Sequence, residues 1–242
     1  MCIRDRSSLD HAGPIANSVE DARLLFEVLS GKACAATATE PRAVRVGWIH
    51  SGSFGPVDAE VDQQVYQAAK QVFGDTLQEV TELAAMAAGM KETLLMLQRA
   101  EAYDVHAERM QEAPQLFDQE VRERLELSQE VRGWQYIRAQ RAQQQYQAQM
   151  ARLFEDYDLL VSPSVPIIAP PVNARETPVG EQLIDVRAAV LSYTSPWNLT
   201  GLPAISLPAG QVRGLPVGLQ VIAAVGEDER LLQWLTHHTL SL

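Results

Sequence analysis

Three polar side chains of different chemistry lie close together near the carboxyl end of the chain, at Thr194, Trp197 and Asn198. They place a hydroxyl, an indole N–H and an amide around Pro196. Two short apolar runs follow, separated by Gly and Pro residues. Polar groups at the end of a sheet usually serve a ligand, so this pattern predicts one wall of a binding pocket. A turn whose polar groups satisfy one another is the alternative.

The surrounding pattern predicts an α/β fold with a mixed sheet flanked by helices. Asp58 opens a helix between two strand-like runs, which predicts a βαβ unit with parallel strands. Pro114 divides a long stretch of strong helix formers, and such a layer would cover the sheet or cap the pocket. The predicted strands are 44–49, 78–83, 158–162, 204–207 and 216–223, and the predicted helices are 18–31, 58–72, the segments within 86–157, and 226–240.

Other candidate chemical groups have weaker patterns. Ser162 and Ser164 follow a strand, yet no G-x-S-x-G motif surrounds either serine and no partner base is evident. His106 stands among acidic residues, but its spacing favours a charged helix face over a metal site. His237 and His238 are adjacent on a predicted helix, so they point in different directions and suit joint metal ligation poorly. No metal or cofactor site is therefore predicted.

Composition excludes several classes of protein. The formal net charge is −11, whereas a nucleic-acid surface needs clustered Lys and Arg to neutralise phosphates. The longest nearly apolar run, around 217–225, is far shorter than the roughly 20 residues of a membrane helix. Cys2 and Cys34 form neither a disulfide framework nor a metal-ligand pair. These features predict a cytoplasmic protein with no nucleic-acid or membrane partner.

Two segments carry a family resemblance. The run TSPWNLTGLPAISLPAG followed by GLPVGLQVI, and the segment SSLDHAGPIANSVEDARLLFEVLSG at 7–31, resemble parts of the amidase signature family, serine hydrolases that cleave carboxylic amides. The intervening segments occur in the order shown by that family. The resemblance covers nearly the whole chain from Ser7 and implies the C-terminal portion of an amidase signature fold.

The family's catalytic groups have no counterpart in this sequence. The resemblance implies a serine nucleophile and a second serine in a Gly/Ser-rich loop, together with a lysine base, all preceding the SLDxxGP segment. No such loop occurs in this sequence. We therefore expect no catalytic residue in this chain, no cofactor, and a partial amidase domain at 7–242. Residues 1–6 match nothing in the family at this place and are interpreted as a non-native leader.

The resemblance also implies candidate ligand contacts. Arg124 aligns with an arginine that contacts the donor's carboxylate in the amidotransferase branch, and guanidinium suits that role because it offers two parallel donors. A surface ion pair with Glu120, Glu123 or Glu126 is the alternative for Arg124. Leu191 stands where glutamine-specific members carry an aspartate, which favours a general amidase. The substrate-binding candidates are Arg124, Thr194, Trp197 and Asn198.

These observations leave three functions open. The first is a general amidase acting on a small-molecule amide. The others are the amidase-like subunit of a glutamine-dependent aspartyl/glutamyl-tRNA amidotransferase and a non-catalytic assembly or binding module. Because an incomplete sheet leaves unpaired edges, we expect homo-oligomerisation or association with an N-terminal half.

Overall fold

The structure, a computed structural model, describes residues 5–34, 44–74 and 77–237. Its main feature is a five-stranded mixed sheet with the order β2-β1-β3-β7-β6. The strands of this sheet are β1 (Val46–Ile49), β2 (Leu77–Val80), β3 (Leu159–Pro163), β6 (Ala204–Val212) and β7 (Leu215–Ile222). A separate two-stranded hairpin contains β4 (Glu176–Val179) and β5 (Gln182–Asp185).

Eight α-helices accompany these strands within the described residues. Three pack near one face of the large sheet: α1 (Val19–Ser30), α2 (Ala59–Phe73) and α8 (Asp228–His237). The others are α3 (Ala84–Glu112), α4 (Gln119–Ser128), α5 (Gly133–Asp156), α6 (Val186–Ser192) and α7 (Ser195–Thr200). A short 3₁₀ turn, Pro114–Leu116, separates α3 from α4, which confirms the predicted division at Pro114.

Local signals account for the first two helices. Ser18 accepts a hydrogen bond from the Asp21 backbone N–H, and Gly31 ends α1 in the left-handed conformation. Asp58 accepts hydrogen bonds from the backbone N–H groups of Glu60 and Val61 at the start of α2. These caps satisfy helix-end groups that otherwise lack partners. Both predicted starts are confirmed.

The sheet is parallel in one half and antiparallel in the other. β1 pairs in parallel with both β2 and β3, which confirms the predicted βαβ unit. β7 pairs antiparallel with β3 and with β6. The mixed α/β fold class is therefore confirmed.

Alternating residues of the strands build two separate cores. Trp48, Val161 and Val221 face α1, α2 and α8, while Leu160 and Ile222 face the layer that contains α5 and α7. This alternation follows from the two-residue side-chain period of a strand. Ser162 and Gln220 lie two residues along from Leu160 and Ile222, so they share the α7 face.

Several elements differ from the prediction. The sequence pattern does not predict the β4-β5 hairpin. At 191–200 it predicts only a polar entrance, where the structure has the end of α6 and the whole of α7. Strand β2 covers Leu77–Val80, not 78–83, because the chain turns into α3 after Thr81. Helix α8 is described only to His237, so His238 and the predicted helix end at 240 lie outside the described residues.

Candidate functional site

A cavity of about 1140 Å³ runs along the outer edge of β6. Six consecutive residues, 203–208, line it, and all but the first belong to that strand. The segment 11–19 forms a second side, and α7 forms a third. Thr194, Trp197 and Asn198 all line the cavity, together with Leu191, Ser195, Ser206 and Gln220.

Helix α7 positions the polar candidates. Pro196 lies in its first turn, where its missing N–H costs nothing, and Gly201 ends the helix with a φ of 70°. The Thr200 hydroxyl donates to the Pro196 carbonyl at 2.7 Å. This short helix therefore presents Trp197 and Asn198 to the cavity from a rigid turn.

Trp197 is the most constrained of the three candidates. Its side chain is only 2% exposed, and its ring meets Phe54 edge-on at 5.6 Å. Its buried Nε1 has no hydrogen-bond partner among the described residues. An unpaired buried donor is costly, so this N–H is an unsatisfied polar group in the core cluster that contains Leu160 and Ile222.

Thr194 and Asn198 are less buried than Trp197. Both line the cavity and also make hydrogen bonds at the start of α7. The Thr194 hydroxyl donates to the Leu191 carbonyl at 3.4 Å, a long hydrogen bond. The Asn198 backbone N–H donates to the Thr194 carbonyl at 3.3 Å. These contacts link α6 to α7 and leave the Asn198 amide side chain facing the cavity.

A buried polar network borders the cavity through Gln220. The Gln220 amide donates to the Tyr193 carbonyl at 2.8 Å and to the Ser162 hydroxyl at 3.3 Å. The Gly52 backbone N–H donates to the Tyr193 hydroxyl at 3.1 Å. Burial raises the pKa of Tyr193 to about 12, so this phenol stays protonated at neutral pH. The network fixes α6 and α7 against the sheet.

The role of Gln220 was not predicted from the sequence. A polar residue in an otherwise apolar strand was a detectable signal, since buried amides require partners. Its partner Ser162 could not be identified without the β3-β7 register, which places the two residues opposite each other.

The two candidate serines are held differently. Ser162 is fully buried and donates to the Pro163 carbonyl at 3.1 Å. The Ser164 and Ser206 hydroxyls lie 2.5 Å apart across Gly218. A Cβ atom at Gly218 would lie 2.8 Å from each of those two oxygens. The glycine therefore allows the serine pair to form.

The N-terminal side of the cavity is tied to the helical layer by Glu101. Its carboxylate accepts hydrogen bonds from the Ser8 backbone N–H at 3.0 Å and from the Ser8 hydroxyl at 2.5 Å. The Tyr136 hydroxyl donates to the same carboxylate at 3.3 Å. A buried carboxylate with three donors anchors the turn that leads into the cavity-lining segment.

Arg124 does not lie among the cavity-lining residues. Its guanidinium pairs with Glu120, one of the three carboxylates expected as alternatives to a ligand. The opposite Glu120 oxygen lies 3.0 Å from Arg175. The structure thus places Thr194, Trp197 and Asn198 together and Arg124 on a separate surface of α4.

The remaining candidates have structural contacts. His106 Nε2 lies 3.1 Å from an Asp5 carboxylate oxygen, and the His106 ring meets Phe117 edge-on. Within the described residues, no cluster of three or more His, Cys, Asp or Glu side chains could hold a metal ion. His238 lies outside those residues, and the side chain of His237 is not described.

Residues 5 and 6 also make contacts. The backbone N–H groups of Asp5 and Arg6 donate to the Asp10 carboxylate at 2.9 Å and 3.1 Å. Met1–Arg4 lie outside the described residues. The boundary of the leader at residue 6 stays a prediction.

No helix in the described part of the chain is both long and apolar enough to cross a bilayer. The fold and cavity together define an α/β protein with a pocket wall of hydroxyl, indole and amide groups at a sheet edge.

Comparison with known proteins identifies the family. The Amidase family model matches residues 2–232, so the chain belongs to the amidase signature family. This match confirms the resemblance found in the sequence.

Similarity to individual proteins supports the same family assignment. An enzyme named amidase from Pseudomonas putida is 33% identical over 84% of this chain and 47% of its own length. One subunit of the glutamyl-tRNA(Gln) amidotransferase from Thermus thermophilus is 34% identical over 94% of this chain and 54% of its own length. A solved amidase structure superposes with a TM-score of 0.86 at 29% identity, over 97% of this chain and 54% of that one. The chain spans about half the length of the relatives it matches.

Proposed function

We propose that this chain forms the substrate-facing wall of an amidase that hydrolyses carboxylic amides, and that the nucleophile and base come from a separate, N-terminal half. One observation carries this proposal. The cavity presents hydroxyl, indole and amide groups, yet none of the three lysines, Lys32, Lys70 and Lys91, lines it. A Ser-Ser-Lys mechanism needs a lysine beside its serines.

The Ser164–Ser206 pair also supports a catalytic nucleophile and base outside this chain. Ser164 and Ser206 share a short hydrogen bond, but no basic side chain contacts either hydroxyl within the described residues. A serine hydroxyl is a weak nucleophile until an adjacent base removes its proton. We therefore assign these serines to the sheet and not to the chemistry.

The chain's own contribution would be binding and orientation. Asn198 can donate to the carbonyl of an amide and accept from its N–H, while the Trp197 side chain supplies an aromatic part of the cavity wall. Holding the amide against a nucleophile on the facing wall lowers the entropic part of the barrier. The acyl-enzyme and its hydrolysis belong to the serine and lysine of the other half.

Complementation tests this proposal. The purified chain should release no ammonia or amine from short aliphatic and aromatic amides. Adding the N-terminal half of the Pseudomonas putida amidase should restore release, and a matched half whose base lysine is changed to alanine should not. Turnover by the chain alone, abolished by Ser164→Ala or Ser206→Ala, would contradict the proposal.

An amidotransferase subunit is the second candidate, because the Thermus thermophilus relative carries that name at 34% identity. Leu191 opposes this candidate, since it lines the cavity without a charge for the amino group of glutamine. In the complemented protein, release of ammonia from glutamine in preference to simple amides would select the amidotransferase.

We also propose a reducing, cytoplasmic location. Cys34 is a buried free thiol among the described residues, and burial raises its pKa above the usual value. Such a thiol is a poor nucleophile and does not require oxidation for folding.

A further inference from the structure

The outer edge of β6 exposes backbone groups in a pattern that follows from the hydrogen bonds of its neighbours. In an antiparallel pair, only every second residue exchanges hydrogen bonds with the partner strand. The Ala223 N–H donates to the Pro203 carbonyl at 3.0 Å, and the β6-β7 register continues from this pair. Ile205 and Leu207, two and four residues further along, therefore direct their N–H and C=O groups towards β7.

A contact on the other side of β7 gives the same alternation independently. The Ser164 N–H donates to the Gly218 carbonyl at 2.8 Å, so Gly218 directs its backbone towards β3. Gly218 lies opposite Pro208, and Pro208 therefore exchanges no hydrogen bonds with β7. Ser206 and Ala204 precede Pro208 by two and four residues, so their N–H and C=O groups point away from the sheet.

These outward groups form a short free edge beside the cavity. Within the described residues, no loop or side chain makes a hydrogen bond with the backbone of Ala204 or Ser206. Both residues line the cavity. Pro208 has no N–H to offer, and the register shift that follows it interrupts the edge. Ala204 and Ser206 are therefore the residues that can pair with an added strand.

The cavity suits an uncharged ligand. Among the lining residues in the described part of the chain, Asp228 is the only one with a permanently charged side chain. Ile205 and Leu207 pack with Phe26 against the apolar core on the α1 side of the sheet. Because a charged group needs a partner when it leaves water, this wall favours a neutral ligand over an acid.

The side chains of β6 also select those of an added strand. Residues opposite each other on neighbouring strands share one face of the sheet and pack together. Ala204 and Ser206 carry small side chains, whereas Ile205 between them is apolar and partly buried against the core. An apolar ligand residue opposite Ile205 would extend that core. A three-residue segment with an apolar centre therefore fits this edge.

We propose that the outer edge of β6 binds the substrate as an additional strand, so that the substrate class is an uncharged peptide ending in a carboxamide. The assignment rests on the proposed amidase function. A peptide presents a donor and an acceptor to one side on every second residue, which is the pattern that Ala204 and Ser206 leave unpaired. Residues 201–203 lead directly from α7 into β6. The carboxamide end would therefore lie beside Trp197 and Asn198.

Peptide methylation tests this pairing on the unaltered chain. The probe is an alanine-valine-alanine tripeptide with an acetylated amino end and a terminal carboxamide. Methylating either alanine nitrogen removes a donor that faces β6, so the affinity measured by calorimetry should fall about tenfold. Methylating the valine nitrogen should leave the affinity unchanged, because that N–H points away from β6. Equal losses at all three positions, or no binding of the unmethylated probe, would overturn the proposal.

Hydrogen exchange measured by NMR gives a second readout. Without the probe, the N–H groups of Ala204 and Ser206 should exchange faster than those of Ile205 and Leu207, which bond to β7. The probe should slow exchange at Ala204 and Ser206 about tenfold and leave the other two rates unchanged. Slow exchange at Ala204 and Ser206 without the probe, lost on dilution, would place a second copy of the chain on this edge and overturn the peptide assignment.

A variant pair locates the binding edge. Ala204→Pro removes one outward N–H and no hydrogen bond to β7, so it should weaken probe binding about tenfold. Gln78→Ala lies on β2, the opposite edge of the sheet, and should leave the affinity unchanged. An unchanged affinity in Ala204→Pro, or equal losses in both variants, would contradict binding at β6.

The two proposals can fail separately. Loss of probe binding would leave complementation of amide hydrolysis untouched, because that assay uses short amides without a peptide backbone. Failure of complementation with retained probe binding would remove the amidase assignment and leave a peptide-binding edge.

Discussion

The two outer strands of the five-stranded sheet differ in length and chemistry. β2 has four residues, and its central pair, Gln78 and Glu79, is polar and exposed. β6 has nine residues, carries no charged side chain, and borders the large cavity. Natural proteins protect exposed edges with short strands and charges. By that criterion β2 has the features of a solvent-exposed edge, whereas β6 lacks the charges that protect an exposed edge from pairing.

The surface of helix α1 also distinguishes the β6 edge from the β2 edge. Helix α1 lies beside the β6 cavity, and Val28 and Leu29 are 80% and 60% exposed on it. Ile15, in the cavity-lining segment, is 98% exposed. Exposed apolar side chains grouped in this way mark an interaction surface. We propose that the expected partner surface lies in this region; the partner itself stays a prediction.

The largest expected effect is a difference in stability loss between alanine substitutions at two glycines. Gly47 lies on β1, next to the edge strand β2, and Gly218 lies on β7, next to the edge strand β6. A Cβ at Gly47 would lie 2.6 Å from Val80 Cγ2 and 2.8 Å from Leu160 Cδ2, both fully buried. A Cβ at Gly218 would come closest to serine hydroxyl oxygens, which can rotate away. We expect Gly47→Ala to cost about 3 kcal/mol and Gly218→Ala about 1 kcal/mol, by urea denaturation.

Gly133→Ala provides the control for this pair, because nothing lies within 4 Å of its Cβ position. Its unfolding midpoint should equal or slightly exceed that of the unaltered chain, because Gly133 begins α5 and alanine favours a helix. A greater loss for Gly218→Ala than for Gly47→Ala would mean that the β6 side is packed as rigidly as the β2 side.

Glu101→Ala should give the next largest effect. Removing the carboxylate leaves the Ser8 and Tyr136 donors without their acceptor, which costs about 2 kcal/mol. The turn that borders the β6 cavity should then exchange its amide hydrogens faster, while β2 should be unaffected. Hydrogen exchange with mass spectrometry measures both, and Glu108→Ala, exposed on the same helix, is the control.

Tyr193 makes the β6 side sensitive to alkaline pH. Its folded pKa of about 12 lies above the ordinary tyrosine value near 10. The stabilisation is therefore complete below pH 10 and is lost as pH rises from 10 to 12, by up to about 2 kcal/mol.

Tyr193→Phe should remove this alkaline loss and cost about 1 kcal/mol at pH 7 for the missing Gly52 contact. Thermal unfolding between pH 8 and 11.5 measures both terms, with Tyr103→Phe as the control. An unchanged alkaline slope in Tyr193→Phe would assign the loss to another group.

The smallest effect concerns association and not stability. Ala204→Lys adds a charge at an exposed position of β6, whereas Gln78→Lys adds one to the already polar β2. We expect any self-association of the isolated chain to fall several-fold only for Ala204→Lys, because charge on an edge opposes strand pairing. Sedimentation velocity over a concentration series measures this, and an equal response to both substitutions would remove the distinction between the edges.

Local sequence was sufficient for the parts of the fold that depend on neighbours a few residues away. Ser18, Gly31 and Asp58 end or begin helices through contacts within four positions, so their residue types predicted those helix ends. The strand pairs, the α/β class and the family followed from equally local apolar runs and Gly/Pro positions. The hairpin β4-β5 was missed because its residues carry only a weak alternation.

The packed fold alone establishes which polar groups meet. Gln220 and Ser162 are 58 positions apart, and only the strand order places one opposite the other. The separation of Arg124 from the Thr194, Trp197 and Asn198 wall likewise depends on how distant helices pack. Contacts between distant segments are selected by the burial of the whole core, and no local pattern encodes that selection.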